Sequence, residues 1–500
     1  MQGRDPRDPR MTPFPDARYG PAVAQGSGPF DRVAAAQPVT TPKSGLSIVS
    51  LIIAFSIPFV LGSYWVLYLP SSDAAILLLR PAIVGLSVLF GLVSFRAPAT
   101  VAERRLALTL VIFCSALLIP SLTSTDPVRA LLDWFKTALL AAICLVFCRA
   151  LRHPRTAEIF GVSLLLGACL AAAVVGFTYV QHMGLVLPTY EATRIYKGLL
   201  EKANFPLNPV SFTSMFMYVA GMCLVRARWY LWVLGAGLLV VNGVFTGSRA
   251  PIAIVALSGV IVLFVRAARS VGLMTRVLAW IGLAVCVAGM VAFVFHVPFS
   301  RMSSITEGRW DLWSVACQKF MESPFLGFGF ESWRDDLVSR LPGEYKLTFV
   351  IALNIAGGYH NEYLTMLAEQ GLIGFVPTIA FFWLVWHSSL KLAIRHSNTW
   401  KGGYWALFAC SFLFVRALVE IPGLFGYGQE PADYLAYIFV AIVISRFSRE
   451  EDHLRAQPAR VLASETKTAA QRGFFPGTVS APSLSYSRFT RAAPDLGGPA

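Results

Sequence analysis

The sequence predicts an all-α polytopic membrane protein of about twelve transmembrane helices, with a helical cap on its outer side between helices 9 and 10. Three observations predict it. Of 500 residues, 56% are apolar and 14% charged, and the mean hydropathy is +0.60, whereas soluble domains carry about 25% charged residues. The apolar residues gather in runs near the roughly 20 that a bilayer requires. The basic residues fall in alternate gaps between those runs, as in a chain threading a membrane.

Taken in order, residues 1–43 form a Pro-, Arg-, Asp- and Gly-rich tail with eight prolines and no apolar h-region. Such a composition predicts disorder, with no cleavable signal peptide. The membrane domain follows at 44–448. Its predicted spans are 46–69, 74–95, 106–122, 131–148, 157–179, 209–225, 229–246, 251–265, 277–295, 371–390, 404–419 and 433–446. A second tail, 449–500, is rich in Ala, Pro, Ser and Arg and also predicts disorder.

With the N-terminus in the cytoplasm, five short loops face inside. They hold Arg96, Arg104 and Arg105; Arg149, Arg152 and Arg155; Arg226 and Arg228; Arg266, Arg269 and Arg276; and Lys391, Arg395 and Lys401, with Glu103 as their only acid. The positive-inside rule therefore places both termini in the cytoplasm. Tyr64, Trp65 and Tyr68 at one span end, and Trp229, Tyr230 and Trp232 at another, suit the headgroup layer. The net charge of +14 is thus explained by topology and predicts no nucleic-acid partner. Seven of the eight cysteines lie inside apolar runs and no CxxC pair occurs, which supports neither a disulfide framework nor a zinc site.

Two outer segments are long: about 180–208, and 296–370. The second is rich in Trp and Phe, so it predicts folded structure. Arg309, Trp313, Ala316 and Phe320 stand at helical spacing over 309–321; Pro324 stops that helix, and Gly327 and Gly329 allow a tight turn. A further short helix is predicted over 361–370.

Four basic centres lie on this side. They are Arg194 with Lys197, Arg249 in Thr246-Gly247-Ser248-Arg249, Arg309 in Gly308-Arg309-Trp310-Asp311, and His360 in Gly357-Gly358-Tyr359-His360-Asn361-Glu362-Tyr363-Leu364. Each has a plain structural alternative. Arg194 suits a lipid phosphate, Arg249 a snorkelling helix end, Arg309 a salt bridge with Asp311 or Glu307, and His360 a structural histidine, although the glycines before it and the Asn after it predict a tight turn that presents it. His182 and His296 show no partner pattern. Arg416 and Glu420, four apart, read as a pair within the bundle, and Arg80 and Lys136 as snorkelling side chains. The sequence has no GxxxxGK[ST] loop, no HExxH and no Cys/His cluster, so neither ATP nor a metal cofactor is expected.

His360-Asn361-Glu362-Tyr363-Leu364, then Ala368-Glu369-Gln370-Gly371-Leu372-Ile373-Gly374, resemble a motif of the O-antigen ligase superfamily, which includes O-antigen ligases, Wzy-type polymerases and exopolysaccharide polymerases. Gly308-Arg309-Trp310-Asp311-Leu312-Trp313 and Ser323-Pro324-Phe325-Leu326-Gly327-Phe328-Gly329-Phe330 resemble the segment ahead of that motif, and Gly247-Ser248-Arg249 its Ser-Arg step. The Arg194 segment resembles an earlier arginine segment loosely.

The resemblance implies a glycosyltransferase in the bacterial inner membrane with its site facing the periplasm. Its donor is an undecaprenyl-pyrophosphate-linked glycan, and its acceptor a growing glycan or lipid A–core. It implies His360 as base and Arg249 as catalytic, with Arg249, Arg194 and Arg309 on the pyrophosphate and Ser248, Asn361 and Glu369 in support. The roles make chemical sense. Arginine forks neutralise a departing pyrophosphate, and histidine takes a hydroxyl proton near neutral pH. A flippase and a chain-length regulator would accompany a polymerase, towards which the Gly-Phe-Gly-Phe stretch leans; lipid A–core synthesis would accompany a ligase. The rival class is a twelve-helix transporter. The short link between the sixth and seventh spans, the lack of an internal repeat and the lack of a convincing mid-span acid speak against it.

Overall fold

The computed structural model describes residues 51–57, 85–87, 89, 99–186, 192, 195–196, 207–225, 229–245, 250–270, 302–329, 359–395, 402–418 and 433–452. Among these the secondary structure is helical and no strand occurs. The helices are α1 (Val101–Leu122), α2 (Pro127–Ala150), α3 (Pro154–Met183), α4 (Leu207–Met222), α5 (Trp229–Phe245), α6 (Ala250–Ser270), α7 (Met302–Glu322), α8 (Glu362–Arg395), α9 (Gly402–Ala417) and α10 (433–452).

Nine of the twelve expected spans coincide with described helices. Of the first two only 51–57, 85–87 and 89 are described, and 277–295 lies outside the described residues. Among the described residues four helices, α1, α2, α3 and α8, are long and apolar enough to cross a membrane. Parts of α4 and α6, and α9, are apolar but shorter. Among the described residues the protein is all-helical, and its apolar helices make it a multi-pass membrane protein.

Local signals explain the helix ends. A capping box opens α1: Thr100 Oγ1 accepts from Glu103 N at 3.2 Å, and a Glu103 carboxylate oxygen accepts from Thr100 N at 2.9 Å. Asp126 caps α2 through Arg129 N at 3.2 Å, with Pro127 at the first helical position. Pro154 takes the same position in α3. Helix α10 continues through 452, past the expected tail boundary at 449.

The core runs through the middle of the bundle. Phe113 of α1 stacks on Phe381 of α8 at 5.5 Å, and Phe381 stacks on Tyr437 of α10 at 6.3 Å. Phe216 of α4 meets Phe412 of α9 and Phe439 of α10. Lys136, expected to snorkel, instead pairs with the buried Asp133 at 2.5 Å. This ion pair inside α2 supplies a span acid that the sequence reading did not weigh.

One end of the bundle is clipped by charge. Glu103, buried, lies 3.3 Å from Arg152 Nε and 4.0 Å from Arg149 Nε. Arg152 also reaches Asp452 at 4.0 Å, and Ser448 Oγ donates to Thr100 Oγ1 at 2.7 Å. The lone acid of the expected inner loops thus joins α1 to the α2–α3 turn, and α10 closes over both.

Candidate active site

The opposite end holds the ends of α1, α3, α5 and α9 and the starts of α2, α4, α6, α8 and α10. His360 sits here, just before α8, with φ 52°, the only positive φ of a non-glycine among the described residues. The left-handed region costs an L-residue roughly 1–2 kcal/mol, so the surroundings hold it. On one side Tyr359 is fully buried. On the other Asn361 caps α8: its Oδ1 accepts from Leu364 N at 3.1 Å and its carbonyl from Thr365 N at 2.9 Å. A cap of this kind contributes about 1 kcal/mol. Tyr363 OH then donates to Phe414 O of α9 at 3.1 Å.

Two motifs that lie far apart in sequence meet at this point. Leu312 and Ala316 of α7 cluster with Tyr359 and Ala368, and Trp313, Val315 and Leu364 pack against them. Arg309 stands on α7 at the helical spacing of that buried face, three residues before Leu312 and seven before Ala316. Its side chain lies outside the described residues. The helix expected over 309–321 is present and begins a full seven residues earlier, at Met302.

Beyond α7, residues 323–329 lock into a break in α8. The run 362–395 is interrupted at Gly371, with φ 56° and ψ −166°. A break strips Ala368 O and Glu369 O of their helical donors, and Leu372 N and Ile373 N of their acceptors. All four are re-paired across the interface. Phe328 N donates to Ala368 O at 3.1 Å and Gly329 N to Glu369 O at 2.7 Å, while Leu372 N donates to Pro324 O at 2.8 Å and Ile373 N to Phe325 O at 3.1 Å. Gly327 and Gly371, both with positive φ, allow this close approach. A Cβ on Gly327 would meet the Glu369 carbonyl at 2.4 Å, and one on Gly371 would meet that of Phe325 at 2.4 Å. Ser124, just after α1, donates to Phe328 O at 3.3 Å. Glu369 is wholly buried within this joint and Gln370 nearly so. Lys319, also buried, places its ammonium 5.0 Å from the Phe328 ring centre.

Arg194, Ser248 and Arg249 lie outside the described residues, and so do His296, Asp335, Asp336, Glu420 and Arg80. The neighbours of two of these arginines in the chain are described, and they converge. Tyr179 of α3 packs edge-on against Tyr196 at 5.1 Å and against Phe245 at 4.6 Å. Tyr196 stands two residues after Arg194, and Phe245 four before Arg249. Tyr196 OH is 2.5 Å from Thr178 Oγ1 and donates to Val175 O at 3.2 Å. Burial pushes the Tyr196 phenol up to about 12, the Thr178 bond notwithstanding, so it stays protonated at neutral pH. His182 joins this cluster, its Nδ1 2.8 Å from Thr178 O, which gives it a structural role.

Arg416 was read from the sequence as half of a bundle pair. The structure buries it near the end of α9, with its guanidinium 4.8 Å from the Phe212 ring centre. Glu362 and Asp433 are buried at the same end. Lys319, Tyr179 and Tyr196 escaped the sequence reading because a lone Lys or Tyr at a helix end has no spacing partner; the apolar face of α7 was the one signal that could have marked Lys319.

No curated protein matches the chain. Residues 234–379, which contain Ser248, Arg249, Arg309, His360, Asn361 and Glu369 but not Arg194, match the family model described as O-Antigen ligase, so this segment of the chain is similar to that family.

Proposed function

We propose that the protein transfers a glycan from an undecaprenyl-pyrophosphate carrier to a sugar hydroxyl, at the periplasmic face of the bacterial inner membrane. The reading includes twelve spans over 44–448, both tails in the cytoplasm, and residues 296–370 as a periplasmic cap. The observation that carries it is His360, held at positive φ at the end of the bundle where the Gly308–Trp313 motif packs on the start of α8. Strained residues of this kind cluster at sites of chemistry.

In this mechanism His360 takes the proton of the acceptor hydroxyl as it attacks the anomeric carbon. The carbon–oxygen bond to pyrophosphate breaks with inversion, and the electron pair leaves with the pyrophosphate. Arg249 and Arg194 neutralise the leaving group, and the meeting of their chain neighbours on Tyr179 supports a shared pocket. Arg309 supports phosphate or sugar. Asn361 sets the start of α8, Glu369 the joint with 323–329, and Ser248 the arginine step. The donor is already activated, so neither ATP nor a metal is required. We favour chain extension over transfer to lipid A–core, on the Gly-Phe-Gly-Phe stretch, whose backbone forms the joint with α8.

The test is reconstitution. Purified protein receives a lipid-linked oligosaccharide with EDTA, and products are followed by mass spectrometry. Longer lipid-linked chains are expected from the wild type. Loss of about 10²–10⁴-fold in rate is expected for His360→Ala, and a clear loss for Arg249→Lys, which lacks the planar fork. Transfer only after lipid A–core is added would identify a ligase. Near-normal activity of His360→Ala would sink the assignment of the base.

A further inference from the structure

We propose that the turn joining α7 to residues 323–329 is a membrane wedge, with Met321 and Phe325 inserted among the acyl chains of the leaflet at this end of the bundle. The sequence reading made 296–370 a periplasmic cap and gave it no contact with lipid, and the glycosyl-transfer reading makes no demand on these two side chains, so the inference stands apart from it.

The first observation is exposure. Met321 is 74% and Phe325 65% exposed. Leu312, Ala316 and Lys319, on the other side of α7, are buried, so the helix presents a packed face and an uncovered apolar tip.

The second is continuity with the lipid-facing surface. Ile373 N donates to Phe325 O and Leu372 N to Pro324 O, which pins the turn beside the break in α8. The exposed apolar residues just beyond that break are Leu372 and Val376, on a helix that is itself a span. On the neighbouring α1, whose following turn carries the Ser124 contact to Phe328, Ile119 and Leu122 are exposed as well. Met321 and Phe325 therefore extend a surface that already faces lipid.

The third is depth. From Ile373 to Lys391 is eighteen residues, about 27 Å of helix at 1.5 Å per residue. The hydrocarbon layer is about 30 Å thick. With Lys391 and Arg395 at one polar boundary, the level of Ile373, and so of Phe325, falls at the other. Glu322, which accepts from Gln318 Nε2 at 3.3 Å, then stands at headgroup height beside the wedge. The occupant is bilayer lipid: the surface is continuous with the spans, and the exposed residues across the break from Phe325, Leu372 and Val376, are apolar.

The test uses the wild-type chain in nanodiscs that contain a phospholipid with a diazirine in its acyl chain. After photolysis, tryptic peptide 320–334, between Lys319 and Arg334, is read by mass spectrometry. The expected result is lipid adduct localised to Met321 and Phe325, at a level comparable with the peptide that holds Val376. A labelled Val376 peptide beside an unlabelled 320–334 would overturn the proposal. Hydroxyl radicals generated in the aqueous phase supply the second reading. Met321 should be protected in nanodiscs and oxidised in the unfolded chain; equal oxidation in both overturns the wedge by itself. Neither measurement depends on turnover, so failure here leaves the glycosyl-transfer reading standing, and the reverse holds too.

Discussion

At the scale of single residues, the two ends of the bundle use different chemistry. The end that holds His360 keeps its polar groups buried and fixed by stacking and capping: Asn361 by two backbone donors, Arg416 by the Phe212 ring, Tyr196 by Thr178. The opposite end is ionic, and there the protonation of one histidine bears on stability. His153 lies in the α2–α3 turn just ahead of Pro154. Burial, and after it the charges of Arg155 and Arg449, hold its pKa below the ordinary 6.5. Protonation then favours the unfolded chain. Its contribution to stability is complete above pH 6.5 and is lost as pH falls from there through the lower folded value. Thermal unfolding in detergent should show a midpoint that declines over this window, and His153→Gln should flatten the decline. An unchanged slope in His153→Gln would assign the effect to another group.

At the scale of elements, the decisive feature is the exchange of backbone hydrogen bonds between 323–329 and the break in α8. Four backbone groups that an unbroken helix would pair as two bonds within itself make four bonds to another segment instead, so the break costs little and the joint is specific in register. A side chain at Gly371 would face two penalties at once, positive φ and a carbonyl at 2.4 Å. Gly371→Ala should destabilise by more than about 1 kcal/mol and loosen α7 from α8. Hydrogen exchange reads this directly: Phe328, Gly329, Leu372 and Ile373 amides should lose protection together, while α3 and α4 keep theirs. Loss spread evenly over the bundle would argue against a local joint. The sequence announced the parts of this element, with Pro324, the paired glycines and the glycine of Ala368–Gly374 all read as turn or motif. It gave no sign that they bond to one another, because backbone pairing between segments some forty residues apart leaves no periodicity.

At the scale of the whole molecule, Glu103 does for one end of the bundle what the glycine joint does for the other. It ties α1 to the α2–α3 turn, while Arg152 and Thr100 reach the end of α10. Glu103→Gln should lower stability by about 1.5–3 kcal/mol, the range for hydrogen bonds to charged groups. In a double-mutant cycle with Arg152→Ala the two losses should fall short of additive; strict additivity would mean that the pair does not couple the helices. The positive-inside argument put Glu103 among fourteen basic residues of the inner loops without indicating which it would choose.

What the sequence determined by itself is the class of molecule. Hydropathy and charge are local, and a bilayer reads them one segment at a time, so composition, most of the helices and the order of the motifs were legible without a structure. What only the tertiary structure decided is which of those segments touch. Tyr179 gathers the flanks of Arg194 and Arg249, Tyr359 receives the face of α7, and Phe325 is carried to the break in α8. Each of these depends on packing across the bundle, where neighbours in space are distant in the chain and the energy of a contact appears in no single segment.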